Sequence, residues 1–139
     1  MTSRVLAADP GWAYAEGMGN PYTVIDEAAI TTLKELDDGQ PATLLQLLDL
    51  FFEVTPKKLE AIGQAIRAGD AKTVFTEAHG LKSSCRYVGA LTMANLCEKL
   101  ESMGKQGELT DAPIWFKDLE REAGTVFVAL KEIHAQNKA

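Results

Sequence analysis

The sequence predicts an all-α protein: an antiparallel four-helix bundle with an additional short N-terminal helix and an arm. Three observations carry that expectation. Apolar residues recur at steps of three and four through five successive stretches between Ile25 and Ile133, the period of a helix with one buried face. Glycine, proline and aspartate cluster between those stretches, where helices stop and start. No run alternates apolar and polar residues as a half-buried strand would, and no internal repeat is present. A chain of 139 residues is one domain of ordinary size. We divide it into an arm at 1–24 and a helical bundle at 25–139.

The arm contains Pro10, Gly11, Gly17, Gly19 and Pro21 and reads as irregular, with a short helical turn around residues 13–18. Trp12 and Tyr14 would be costly to leave in water, so the arm is expected to dock on the bundle. The first helix opens at Asp26, a good N-cap, with Ile25 and Ile30 at the spacing of a hydrophobic staple. Ile30, Leu33 and Leu36 form its stripe, and Asp37-Asp38-Gly39 ends it. The second helix starts near Pro41 and buries Leu44, Leu48, Phe51, Thr55, Leu59, Ile62 and Ile66. Pro56, in its middle, removes one backbone donor and is expected to kink this helix or split it in two. Gly69-Asp70 closes it, and Asp70 caps the third helix. There the inward residues are Val74, Ala78, Leu81, Cys85 and Val88, and Gly89 ends the helix or opens the next turn. The fourth helix runs from about Leu91 to Met103, with Met93, Leu96, Cys97, Leu100 and Met103 inward, and Gly104 and Gly107 end it. Thr110 or Asp111 caps the fifth, with Pro113 in its first turn. Phe116, Leu119, Ala123, Val126, Leu130 and Ile133 form its stripe.

Composition excludes several function classes. With 46% hydrophobic and 24% charged residues the chain is globular rather than disordered or membranous. A net charge of −6, with no basic run longer than Lys57-Lys58, argues against nucleic acid and against an anionic membrane surface as partners. The N-terminus is broken by Asp9, Pro10 and Gly11 and is not a signal peptide. The most apolar stretch, 44–52, is far too short to span a membrane. We therefore expect a cytoplasmic protein. Cys85 and Cys97 each fall on an apolar stripe and read as buried free thiols. No clustered Cys/His spacing offers a metal site, and no cofactor is expected.

The third helix also carries the chemistry. At about 100° per residue, His79 sits roughly 140° from the apolar seam and faces solvent. Lys82, Ser83 and Arg86 follow on its side of the helix. Imidazole is a nucleophile, and two cations suit an anion arriving at it. The run His79-Gly80-Leu81-Lys82-Ser83-Ser84, followed by Val88-Gly89-Ala90, resembles the phosphorylation motif of histidine-containing phosphotransfer (HPt) domains, approximately H-x-L-K-G-S-x-x-x-[LVI]-G-A. Ser83 stands where that family most often has glycine. The resemblance extends more loosely over residues 25–133. It implies that His79 is phosphorylated on its distal nitrogen, and that the residue at 83 stays small so that a partner's active site can approach. Serine narrows that access, and its hydroxyl can donate to a phosphate.

The resemblance implies a phosphocarrier in a two-component phosphorelay. His79 accepts a phosphoryl group from a receiver-domain aspartyl phosphate and passes it to another receiver. Lys82 is placed to reach phosphate oxygens, and Arg86 to strengthen the anion site or meet the partner's acidic rim. The chain has no nucleotide-binding glycine loop, so catalytic carboxylates and Mg²⁺ are expected from the receiver, which can belong to a hybrid sensor kinase. The family's bacterial members imply a monomer, and length and ends suggest a free-standing carrier. Ser84 and Tyr87 are expected to pack, and His134 to favour a helix C-terminus without further chemistry. Two other readings stay open: a non-phosphorylated module that binds a receiver or kinase and acts by occupancy, and, less favoured, a ligand-binding bundle.

Overall fold

The computed structural model describes residues 20–138, so the turn expected at 13–18 and the docking of Trp12 and Tyr14 lie outside the described residues. A 3-10 turn at Pro21–Thr23 leads into five helices: α1 (Glu27–Glu35), α2 (Ala42–Ala68), α3 (Ala71–Tyr87), α4 (Leu91–Gln106) and α5 (Ala112–Asn137). Among the described residues there is no strand. Short connections, such as Gly69-Asp70 between α2 and α3, force successive long helices antiparallel. α2 packs on α3 and α5, and α4 packs on α3 and α5, which closes the four-helix bundle.

The helix ends follow the local chemistry. The Asp26 carboxylate accepts a hydrogen bond from Ala28 N–H at 3.2 Å, and Ile25 and Ile30 beside it are both buried, as the staple requires. Asp70 accepts from Thr73 N–H at 3.1 Å and from the Thr73 hydroxyl at 2.6 Å. Asp111 takes the N-cap position of α5 but makes no side-chain capping bond. Pro56 does not split α2, which runs unbroken from Ala42 to Ala68. Tertiary packing on α3 and α5 outweighs the loss of one backbone donor.

The predicted stripes form one core, with one exception: Leu36, expected on the stripe of α1, is 69% exposed, because it stands at the C-cap where the helix ends. Val74, Ala78, Leu81, Cys85 and Val88 are all buried, as are Leu44, Leu48, Ile62, Met93, Leu100, Leu119, Leu130 and Ile133. Leu59, Ile66, Leu96, Met103 and Phe116 are half-buried against it. The two cysteines are free and buried. A hydrogen bond with the Cys97 thiol, together with burial, pushes the Cys85 thiol up, so it stays protonated and inert.

One expected helix stop is a packing residue instead. Gly104 lies inside α4, which continues to Gln106, and it is buried. A Cβ there would stand 2.6 Å from the Phe75 amide nitrogen and 2.7 Å from the Ala71 carbonyl oxygen. Glycine thus lets α4 lie directly against the backbone of α3, one turn before His79. The actual stop is Gly107, in the left-handed conformation at φ 72°. Gly89 does end α3, at φ 81°, and its carbonyl accepts from Asp26 N–H at 2.9 Å. A Cβ at 89 would lie 2.8 Å from the Asp26 carbonyl oxygen, so the same glycine lets the start of α1 close over the end of α3.

Candidate functional site

The seam of α3 fixes where its other residues point. With Val74, Ala78, Leu81 and Cys85 turned inward, His79 emerges on the opposite side, and its side chain is 58% exposed. The ring lies over Phe75 one turn earlier, stacked at 6.1 Å between centroids and 21° between planes. Its Nδ1 is 2.8 Å from Glu101 Oε2, which reaches across from α4. Among the described residues no hydrogen bond is made to Nε2.

Glu101 is the residue that sequence reasoning missed. Its Oε1 lies 2.6 Å from Lys82 Nζ, and both side chains are only 14% exposed. Among the described residues the buried Oε1 has no hydrogen-bond donor besides that ammonium contact. Burial raises the Glu101 carboxyl, but Lys82 and His79 together outweigh it and hold the group below its ordinary value. The carboxylate is therefore ionised at neutral pH. An ionised carboxylate only accepts, so the proton of a neutral His79 ring sits on Nδ1 and the Nε2 lone pair points to solvent.

The structure thus brings His79 and Lys82 together, through a third residue. Ser83 is exposed beside them, but its hydroxyl donates back to the His79 carbonyl at 3.4 Å, a weak bond within the helix. Arg86 lies further along α3 and pairs with Glu98 at 3.3 Å, with both side chains 55% exposed. Ser84 is half-buried and donates to the Gly80 carbonyl. Tyr87 departs from expectation. It is 66% exposed and borders an apolar groove between α2 and α3, lined with Leu47, Leu50, Val54, Ser84 and Val88. His134 pairs with Asp49 at 2.9 Å, away from His79.

A signal for Glu101 did exist. The cross-helix pairs 79/101, 85/97 and 86/98 are all centred on residues 90–92, the register that a tight turn at 88–90 imposes on an antiparallel hairpin. Reading that register would have placed a carboxylate level with His79.

The comparisons bear on the family and the fold. The chain matches the Hpt domain model over residues 46–134. It is 25% identical over 100 residues to the phosphorelay intermediate protein rdeA of Dictyostelium discoideum, and the match covers 72% of this chain. It spans only 39% of the length of that relative. Among solved structures it resembles histidine-containing phosphotransfer protein B (HptB) from Pseudomonas aeruginosa PAO1, with a TM-score of 0.76 and 28% identity over 83% of this chain and 97% of that one. With a family match over most of the bundle, the chain belongs to the Hpt domain family.

Proposed function

We propose that this protein is a histidine phosphocarrier of a two-component phosphorelay, with His79 as the residue phosphorylated. The observation that carries the reading is the exposed imidazole whose Nδ1 is held by the ionised Glu101 at 2.8 Å, which leaves Nε2 as the nucleophile. Nε2 attacks the phosphorus of a receiver's aspartyl phosphate. The N–P bond forms as the P–O bond to the aspartate breaks, and the aspartate leaves as a free carboxylate. No proton moves. The ring keeps its Nδ1 proton and becomes a cation, which the Glu101 carboxylate stabilises at charge-assisted hydrogen-bond distance. The reverse displacement by a second receiver's aspartate returns a neutral imidazole.

Lys82 has a double role in this scheme. It compensates Glu101, so that the arriving phosphoryl group does not meet an unpaired carboxylate. One contact to Glu101 leaves two of its three N–H donors for phosphate oxygens. The catalytic carboxylates and Mg²⁺ come from the receiver, because phosphoryl transfer asks mainly for positioning and charge stabilisation. Docking is supported by the apolar groove between α2 and the C-terminal half of α3, where Leu50 and Tyr87 are 53% and 66% exposed, a seat for a receiver. The carrier acts in the cytoplasm as a monomer. Among the described residues no helix is long and apolar enough to cross a membrane.

The test is phosphoryl transfer from phosphorylated receiver domains. Wild type should acquire an acid-labile, base-stable label, and His79→Gln should acquire none while keeping its helicity and thermal transition. Receiver binding without label on the wild type would sink the carrier reading and leave a module that acts by occupancy.

A further inference from the structure

A second cation reaches the His79 face from outside the motif. Lys58, on α2, extends toward α3 and pairs with Glu77 at 3.2 Å. Its Nζ would stand 3.5 Å, and its Cε 3.8 Å, from a Cβ placed on residue 80. Residue 80 is glycine and directly follows His79, so no side chain stands between the Lys58 ammonium and the turn that bears the imidazole. Lys82 closes the opposite flank, toward α4. The phosphotransfer face is therefore bracketed by two lysines from different helices, only one of which belongs to the recognised motif.

The two lysines differ in how freely they can respond to a partner. Lys82 touches a carboxylate at 2.6 Å with both side chains 14% exposed, so removing it would strand a nearly buried charge. Lys58 and Glu77 are separated by 3.2 Å and are 30% and 28% exposed. A half-exposed pair of that length gains little over solvation, and exchanging one anionic partner for another costs little. The long lysine stem can then carry the ammonium off the helix surface. Val54, an apolar residue of the groove, precedes Lys58 by one turn of α2. A partner seated there that extends one turn along α2 meets Lys58, which stands against Gly80, the residue after His79.

We propose that Lys58 is a docking and selectivity residue of the phosphotransfer face: it exchanges Glu77 for a carboxylate at the rim of the receiver's acidic pocket when the two proteins meet. This inference rests on the receiver as partner and adds the residue through which α2 recognises it. Glu77 acts as the internal competitor for that contact.

The test pairs two substitutions that a purely structural ion pair would make equivalent. Lys58→Ala and Glu77→Gln both abolish the bridge. If the bridge only holds α2 to α3, both variants lower the thermal transition alike and shift receiver binding in the same direction. If Lys58 docks the partner, they move oppositely. Lys58→Ala should raise the KM for phosphorylated receiver, and the Kd for unphosphorylated receiver, about 5- to 10-fold, the range of one charge-assisted contact at an interface rim, with kcat within about 2-fold. Glu77→Gln should lower both constants, and Lys58→Arg should restore wild-type values. Equal values for Lys58→Ala and wild type overturn the proposal, as do parallel shifts in the two variants. An effect on KM without one on Kd means that Lys58 reads the phosphoryl group itself, which also overturns the carboxylate contact. Binding is measured without label, so a failure of His79 to take up phosphate is seen separately: the carrier reading would fall while the Lys58 contact stands.

Discussion

At the scale of single residues the site is a three-member arrangement, and its least expected member controls the other two. Glu101 fixes the tautomer of His79 and holds Lys82. A hydrogen bond to a charged group contributes about 1.5–3 kcal/mol, and about 1.4 kcal/mol is tenfold in rate. Glu101→Ala is therefore expected to slow single-turnover transfer from a phosphorylated receiver about 10- to 100-fold, with the helical content intact. Glu101→Gln should fall between that variant and wild type, because the amide oxygen still accepts from Nδ1–H but brings no charge to the phosphorylated ring. A wild-type rate in Glu101→Ala would remove Glu101 from the mechanism. The sequence makes His79 and Lys82 legible because both lie on one helix, where a period of 3.6 fixes their relation. Glu101 and Lys58 come from neighbouring helices, and one helical period says nothing about which residues stand level across a bundle. The exposure of Tyr87 was hidden for the same reason, since its angle on α3 could be read but the depth of the groove between α2 and α3 could not.

At the scale of elements, five helices and most of their caps are written locally. Asp26 and Asp70 cap as their chemistry requires, and the apolar stripes are the buried faces, except for Leu36 at the end of α1. What was misread was glycine, because a helix stop and a close backbone approach use the same residue. Gly104 and Gly124 separate the two cases. Both lie inside helices, yet a Cβ at 104 collides with the α3 backbone and one at 124 meets nothing within 4 Å. Gly104→Ala should destabilise the protein by about 1–3 kcal/mol, the cost of overpacking. It should also slow transfer, because it pushes α4 and therefore Glu101 away from His79. Gly124→Ala should stabilise it by about 0.5–1 kcal/mol through helix propensity without touching transfer. Denaturant midpoints for the two variants, read beside their transfer rates, check both halves. A stable Gly104→Ala variant would mean that α3 and α4 separate more easily than their backbone contact implies.

At the scale of the whole molecule, an acidic chain of net charge −6 presents a face on which the cations are individually balanced: Lys58 by Glu77, Lys82 by Glu101 and Arg86 by Glu98. Such a face carries little net charge of its own, and its response to pH depends on when the carboxylates take up protons. Glu101 is the member whose carboxyl is held low in the folded state, against an ordinary value of 4.5. A depressed folded value means that the unfolded chain binds the proton first, so this stabilisation is complete above about pH 4.5 and is lost as pH falls through the lower folded value. Asp70 is also held low, by its hydrogen bonds from Thr73, so acid sensitivity of the wild type alone does not isolate the site. The difference between wild type and Glu101→Gln does, because Asp70 is common to both. Wild type should be the more stable of the two at pH 7 and pH 5, and the gap should close towards pH 3 as protonated glutamate comes to resemble the amide. Urea midpoints at the three pH values measure it. A gap that is constant, or that widens in acid, would mean that burying the carboxylate beside Lys82 and His79 costs as much as, or more than, their attraction returns. Glu101 would then be kept for what it does to the imidazole, and not for the fold.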